Sequence, residues 1–278
     1  MPHDTAETEL TGGGSTAVHR RGDVVLRQAR PWSKTVLLLL RHLEAEGFTA
    51  APRVIGGGLD SDGRETLSFI EGQSPQGAWT DEAAAAVGRM LRDLHRATAT
   101  FRPPPEPVWL PWWGRDLGGT QPIIGHCDSA PWNILARDGR PVALIDWDTA
   151  GPVDLRWEVA QTVWLNAQLH DDDVAARVGL PDARARARQV RLIADGYGLS
   201  ARERAGLVDA MIELAVRSAA QEAIDGGVTP EGTNPAPMGL LGGGPPLTGH
   251  GLLWAVAWRT RSAAWMLRHR ATLECALR

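Results

Sequence analysis

Residues 123–153, IIGHCDSAPWNILARDGRPVALIDWDTAGPV, set three oxygen-bearing side chains among apolar runs. Asp128 and Asn133 precede a turn signal at Asp138 and Gly139, and Asp146 follows directly on Val142, Ala143, Leu144 and Ile145. Asp-Gly between apolar runs predicts a hairpin. Its second strand would deliver Asp146 beside the loop that carries Asp128 and Asn133. Asn occurs in this chain only at 133, 166 and 234, so the full spacing would seldom arise by shuffling.

An amide oxygen and a carboxylate suit a hard cation such as Mg2+, which prefers oxygen ligands and keeps positions for phosphate oxygens. The remaining carboxylate is then free to orient a hydroxyl and accept its proton. The same residues read more blandly as Asp and Asn capping turns beside a strand end.

HCDSAPWN followed by LIDWD resembles the catalytic segment of the aminoglycoside phosphotransferase family, small-molecule relatives of the protein kinases, with its pattern H-G-D-x-x-x-x-N and a later strand ending in Asp. GGG at 12–14, APRVIG, LSFIEG, MLRDLH and DLRWEVA follow in the family's order. The resemblance implies a protein-kinase-like α+β fold of two lobes. Residues 1–72 would form an N-lobe with a small antiparallel sheet and one main helix, with a hinge near 69–73. Residues 73–278 would form a larger, mainly helical C-lobe carrying the catalytic loop 126–133, the metal-binding strand end at 146 and acceptor-binding helices.

Carried over by position, the resemblance makes Asp128 the catalytic aspartate, His126 the loop histidine that buttresses it, and Asn133 and Asp146 the metal ligands. Glu158 falls where the family has an Asp that anchors the loop. Cys127 replaces a glycine, as a small apolar filler. Arg27, Gly12, Gly13 and Gly14 would contact phosphates, and Phe69, Ile70 and Glu71 would offer backbone groups to the base. The implied activity is Mg2+-dependent transfer from ATP or GTP to a hydroxyl of an antibiotic-like or small metabolite acceptor, with antibiotic resistance as one setting. A binding or immunity protein that keeps the fold and transfers little phosphate is the alternative.

The first lobe departs from the pattern. The kinase template pairs a strand Lys with a helix Glu. Here the strand position is Arg27, and KTVLLLLRHLEAEG has no acid before Glu44, so the paired anchor is expected to be missing. Arg for Lys exchanges a compact ammonium for a planar fork. The chain's lone lysine, Lys34, sits at the start of that helix, where a solvated charge is the ordinary reading.

Outward from these motifs, RGD between STAVHR and VVLRQA predicts a hairpin, and LDSDGR another between PRVIGG and ETLSFIE. SKTVLLLLRHLEAEG predicts a helix capped by Ser33 and stopped at Gly47. From Thr80 helix-period segments dominate, interrupted by a Pro/Trp-rich loop at 101–116 and a Gly/Pro-rich linker at 226–251. DDD at 171–173 could attract a cationic acceptor, although a helix N-terminus is the commoner reading. ARARAR at 183–188 reads as a solvated face, and the last helix as core. Trp109, Trp112 and Trp113 fit either an acceptor pocket or loop packing.

Composition narrows the classes. The 278 residues are 43% hydrophobic and 22% charged, with a net charge of −4, which removes the simplest case for a nucleic-acid partner. Two cysteines give no disulfide framework and fit a cytoplasmic protein. TVLLLL is far too short to span a bilayer, so no membrane partner is expected.

Overall fold

The computed structural model describes residues 6–10, 17–234 and 248–278. Five strands form an antiparallel sheet in the order β1-β2-β3-β5-β4, from β1 (Thr8–Leu10), β2 (Val18–Arg21), β3 (Val24–Gln28), β4 (Val54–Leu59) and β5 (Arg64–Ser68). The β2–β3 turn places Gly22 at φ 59°, a backbone that a side chain disfavours. Helix α1 (Ser33–Ala45) covers this sheet with Val36, Leu39, Leu40 and Leu43 buried. Its N-cap is Trp32 and not Ser33, whose hydroxyl instead accepts the Arg30 N–H at 2.7 Å. Gly47, at φ 77°, follows the helix end as expected.

The helical lobe begins with α2 (Asp81–Thr98), capped by the Thr80 hydroxyl, which accepts the Ala83 N–H. It continues with α3 (Leu155–Asn166), α4 (Asp172–Arg177), α5 (Ala183–Tyr197), α6 (Ala201–Arg204), α7 (Leu207–Asp225), α8 (Gly249–Arg268) and α9 (Arg270–Leu277). Helices α2 and α5 cross at glycines: a Cβ on Gly88 would lie 2.1 Å from the Ile193 carbonyl oxygen, and one on Gly196 2.0 Å from that of Ala85. Only glycine permits so close an approach.

Two short ladders carry the loops between lobes. β6 (Pro122–Gly125) pairs antiparallel with β9 (Gly151–Asp154), and β7 (Ile134–Arg137) with β8 (Arg140–Leu144) through the expected Asp138-Gly139 turn. The chain is therefore α+β, a small antiparallel-sheet lobe against a larger helical one. No helix among the described residues is long and apolar enough to cross a membrane.

The last helices pack as core, with Trp265 and Met266 fully buried. One sequence reading holds and one changes. The acidic run is a helix N-terminus, with Asp171 capping α4, and it also clasps neighbouring helices: Asp171 accepts from Arg261 and Arg268, Asp173 from Arg261, and Asp172 from Arg186 and Trp265. Arg186, read as part of a solvated face, is 1% exposed, and its guanidinium lies over the Trp265 ring while donating to the His170 carbonyl. The Pro/Trp loop packs on the lobe, with Trp112 buried and Trp109 and Trp113 against the core.

Candidate active site

The loop after β6 is built around one buried carboxylate. Glu158, on the first turn of α3, is fully buried and accepts the N–H of His126 at 3.0 Å and that of Cys127 at 2.9 Å. A Cβ on Gly125 would come within 2.8 Å of that carboxylate, so glycine is required before His126. Burial pushes the Glu158 pKa up, and His95 with the loop amides holds it lower on balance. His95 Nε2 lies 3.9 Å from Glu158, and Tyr197 meets His95 Nδ1 at 2.8 Å.

His126 is fixed at both nitrogens. Nε2 lies 2.9 Å from the Ile145 carbonyl and Nδ1 accepts the Asp128 N–H at 3.3 Å, which together specify the Nε2–H tautomer. Burial lowers its pKa to about 4, so the ring is a neutral spacer joining the loop to the strand end before Asp146. Cys127 has φ 63°, the left-handed region where glycine is favoured, and its thiol is fully buried 3.7 Å from the Gly151 carbonyl.

Asn133, in a single 3-10 turn (Pro131–Asn133), donates its amide to the Asp128 carbonyl at 3.0 Å and to Asp128 Oδ2 at 2.7 Å. That commitment leaves Asn133 Oδ1 as the atom available to a cation. The Ile145 N–H donates to the Asn133 carbonyl at 2.9 Å, which brings Asp146 alongside. Asp146 is itself left-handed, φ 59° and ψ 70°, and its carboxylate is half exposed. Burial, then the charge of Asp146, raises the Asp128 pKa to about 7.

Across the cleft Arg27 reaches the same place. Its Nε donates to Glu65, Nη2 to Asp148 at 2.7 Å, and Nη1 lies 3.5 Å from Asp146. The carboxylate paired with Arg27 comes from β5, as Glu65, a residue that periodicity could not single out. Burial disfavours the guanidinium charge, but Asp148 and Glu65 more than offset it and hold Arg27 protonated. Three carboxylates face one guanidinium here, with Asp128 close by. Such an excess of negative charge suits a divalent cation, and an amide oxygen plus a carboxylate fits Mg2+, which keeps its other positions for water and phosphate. No cluster of three or more His, Cys, Asp or Glu able to hold a metal occurs among the described residues.

At the predicted hinge, the Phe69 N–H donates to the Asp23 carbonyl at 2.8 Å and the Glu71 carbonyl accepts from Arg137 at 3.1 Å, so those two groups are already engaged. Lys34 is exposed on α1. Gly12, Gly13 and Gly14 lie outside the described residues, between β1 and β2.

The sheet order, the helical lobe and this loop define a kinase-like phosphotransferase fold, and the chain belongs to the phosphotransferase enzyme family, whose sequence profile matches residues 8–119 and 106–207. It is 56% identical, over 96% of its length and 97% of the relative's, to the trifolitoxin immunity protein of Rhizobium leguminosarum bv. trifolii. Among solved structures it resembles amicoumacin kinase hAmiN in complex with AMP-PNP, Ca2+ and Ami, at a TM-score of 0.62 and 11% identity over 95% of this chain and 89% of that one. It also resembles a choline/ethanolamine kinase family protein from Mesorhizobium loti, at a TM-score of 0.60 and 16% identity over 100% and 94%. Both likenesses establish the fold.

Proposed function

We propose that this protein moves the γ-phosphoryl group of ATP or GTP to a hydroxyl of a small, toxin-like acceptor, and thereby confers immunity. The observation that carries the reading is the direct Asn133–Asp128 hydrogen bond beside Asp146, inside a loop whose backbone is pinned by Glu158. Residues 69–73 would join an N-lobe ending at 72 to a C-lobe beginning at 73.

Asp128 is the general base. With Oδ2 held by Asn133, the Asp128 carboxylate would take the acceptor's hydroxyl proton. The hydroxyl oxygen forms the new bond to the γ-phosphorus, the bond to the bridging oxygen breaks, and its electron pair leaves with the diphosphate. Asn133 Oδ1 and Asp146 would hold Mg2+, which would neutralise the phosphates and the surplus carboxylate charge. His126 and Glu158 keep the loop in place. Arg27 and the Gly12–Gly14 backbone would contact phosphates, and the free backbone groups of Phe69, Ile70 and Glu71 the base. Since Arg186, Arg261 and Arg268 occupy the acids at 171–173, that run offers no patch to a cationic acceptor.

The relative's role in immunity also favours a second reading, in which the fold sequesters a toxin without phosphorylating it. One experiment separates them. Parent and Asp128→Ala are compared in toxin-exposed cells, and as purified proteins with Mg2+, ATP or GTP, and trifolitoxin or a panel of hydroxylated antibiotics. Phosphotransfer requires that Asp128→Ala lose turnover by a factor on the order of 10³ and lose immunity while still binding nucleotide. Immunity that survives Asp128→Ala would establish the second reading instead.

A further inference from the structure

We propose that Glu65 and Asp148 are positioning residues for the nucleotide phosphates, aiming Arg27 from two sides in place of an acid on α1. This assignment rests on the phosphotransferase reading.

Register makes the first contact obligatory. Arg27 on β3 stands directly opposite Glu65 on β5, so the two side chains share one face of the sheet. Glu65 is 1% exposed, and its Oε1 has no hydrogen-bond partner among the described residues. A carboxylate buried this deeply is retained at a cost, and Arg27 is the cation that offsets it. Helix α1 offers no substitute: Glu44 pairs with Arg53, and Glu46 accepts from Thr100.

The second contact comes from the opposite lobe. One oxygen of Asp148 accepts both Arg27 Nη2, at 2.7 Å, and Trp32 Nε1, at 2.9 Å. A guanidinium has five N–H donors in a rigid plane. Fixing Nε and Nη2 therefore fixes the direction of Nη1, whose acid neighbour among the described residues is Asp146 at the loose distance of 3.5 Å. Phosphate oxygens drawn to a cation at Asp146 would meet Nη1 with little rearrangement. A lysine carries its three donors on a single nitrogen, so it could not reach Glu65 and Asp148 from separate nitrogens and aim a third at Asp146, which accounts for arginine here.

The test compares phosphate-dependent with phosphate-independent binding. Calorimetry would measure Mg2+-ATP, Mg2+-GTP and the two bare nucleosides on the parent, Glu65→Gln, Asp148→Asn and Arg27→Lys, with thermal melting as a folding control. Glu65→Gln is expected to weaken the preferred triphosphate at least 10-fold and leave its nucleoside unchanged, and the Arg27→Lys/Glu65→Gln double variant to be no weaker than Arg27→Lys alone. Should Glu65→Gln fail to fold, Asp148→Asn carries the same expectation. Triphosphate and nucleoside affinities that stay level, or fall by one common factor, would reduce both residues to a structural staple. A parent that binds no triphosphate would instead overturn the phosphotransferase reading, and this assignment with it.

Discussion

At residue 127 the backbone explains a departure from the family pattern. φ 63° is glycine's region, yet the side chain present is Cys127, buried against the Gly151 carbonyl and 3.7 Å from Arg115. Left-handed backbone costs a side-chain-bearing residue roughly 1–2 kcal/mol. Burying a small side chain returns a similar amount. Cys127→Gly should accordingly change stability in urea by less than about 1 kcal/mol. Cys127→Val, β-branched at positive φ, should lose more than about 2 kcal/mol. Equal midpoints for the two variants would contradict this account. His126, Asp128 and Asn133 could be read from the sequence because they lie within eight residues of one another and meet through local turns. Glu65 could not, since its meeting with Arg27 is set by strand register across 38 positions.

Elements with their own chemistry were the legible ones. Asp-Gly turned the β7–β8 hairpin, Gly22 the β2–β3 hairpin, and apolar spacing marked α1, α2 and α5. β9 carries no such signal: four residues, Gly151–Asp154, become a strand only because β6 lies alongside. The same non-locality hid the joint of α4 with α5 and α8. There the carboxylate of Asp172 holds Arg186, whose side chain is 2% exposed, while Asp173 pairs with a more exposed arginine. Removing a partner from a buried charge costs several kcal/mol, less where that partner faces water, as Asp172 does. Asp172→Ala should therefore destabilise by about 2 kcal/mol and Asp173→Ala by less than about 1 kcal/mol. Thermal or urea unfolding would measure both, and a larger loss for Asp173→Ala would refute the arrangement.

Over the whole molecule, buried ionisable groups pull the stability in opposite directions as pH changes. His170 is lowered to about 4, first by burial and then by Arg186, and its Nδ1 has no partner among the described residues. Between the unfolded value near 6.5 and the folded value of about 4, the unfolded chain binds a proton that the folded one refuses, so this histidine withdraws stability as pH falls. His126 acts in the same sense over the same window. Asp128 acts oppositely. Raised to about 7 by burial and Asp146, it binds its proton more readily when folded, so it adds stability as pH falls from about 7 toward its unfolded value of 3.8. Other ionisable groups add to the parent's own profile, and differences between variants isolate these three. In Mg2+-free buffer, the stability of the parent relative to His170→Gln should decline by about 3 kcal/mol from pH 7 to pH 4. Relative to Asp128→Asn it should rise over the same interval. Adding Mg2+ with nucleotide should weaken that second trend, because a cation held by Asn133 and Asp146 would offset the Asp146 charge that, after burial, raises the Asp128 pKa. Urea midpoints at half-unit pH steps would show all three slopes, and a pH-independent gap between parent and His170→Gln would remove the buried neutral imidazole from the explanation.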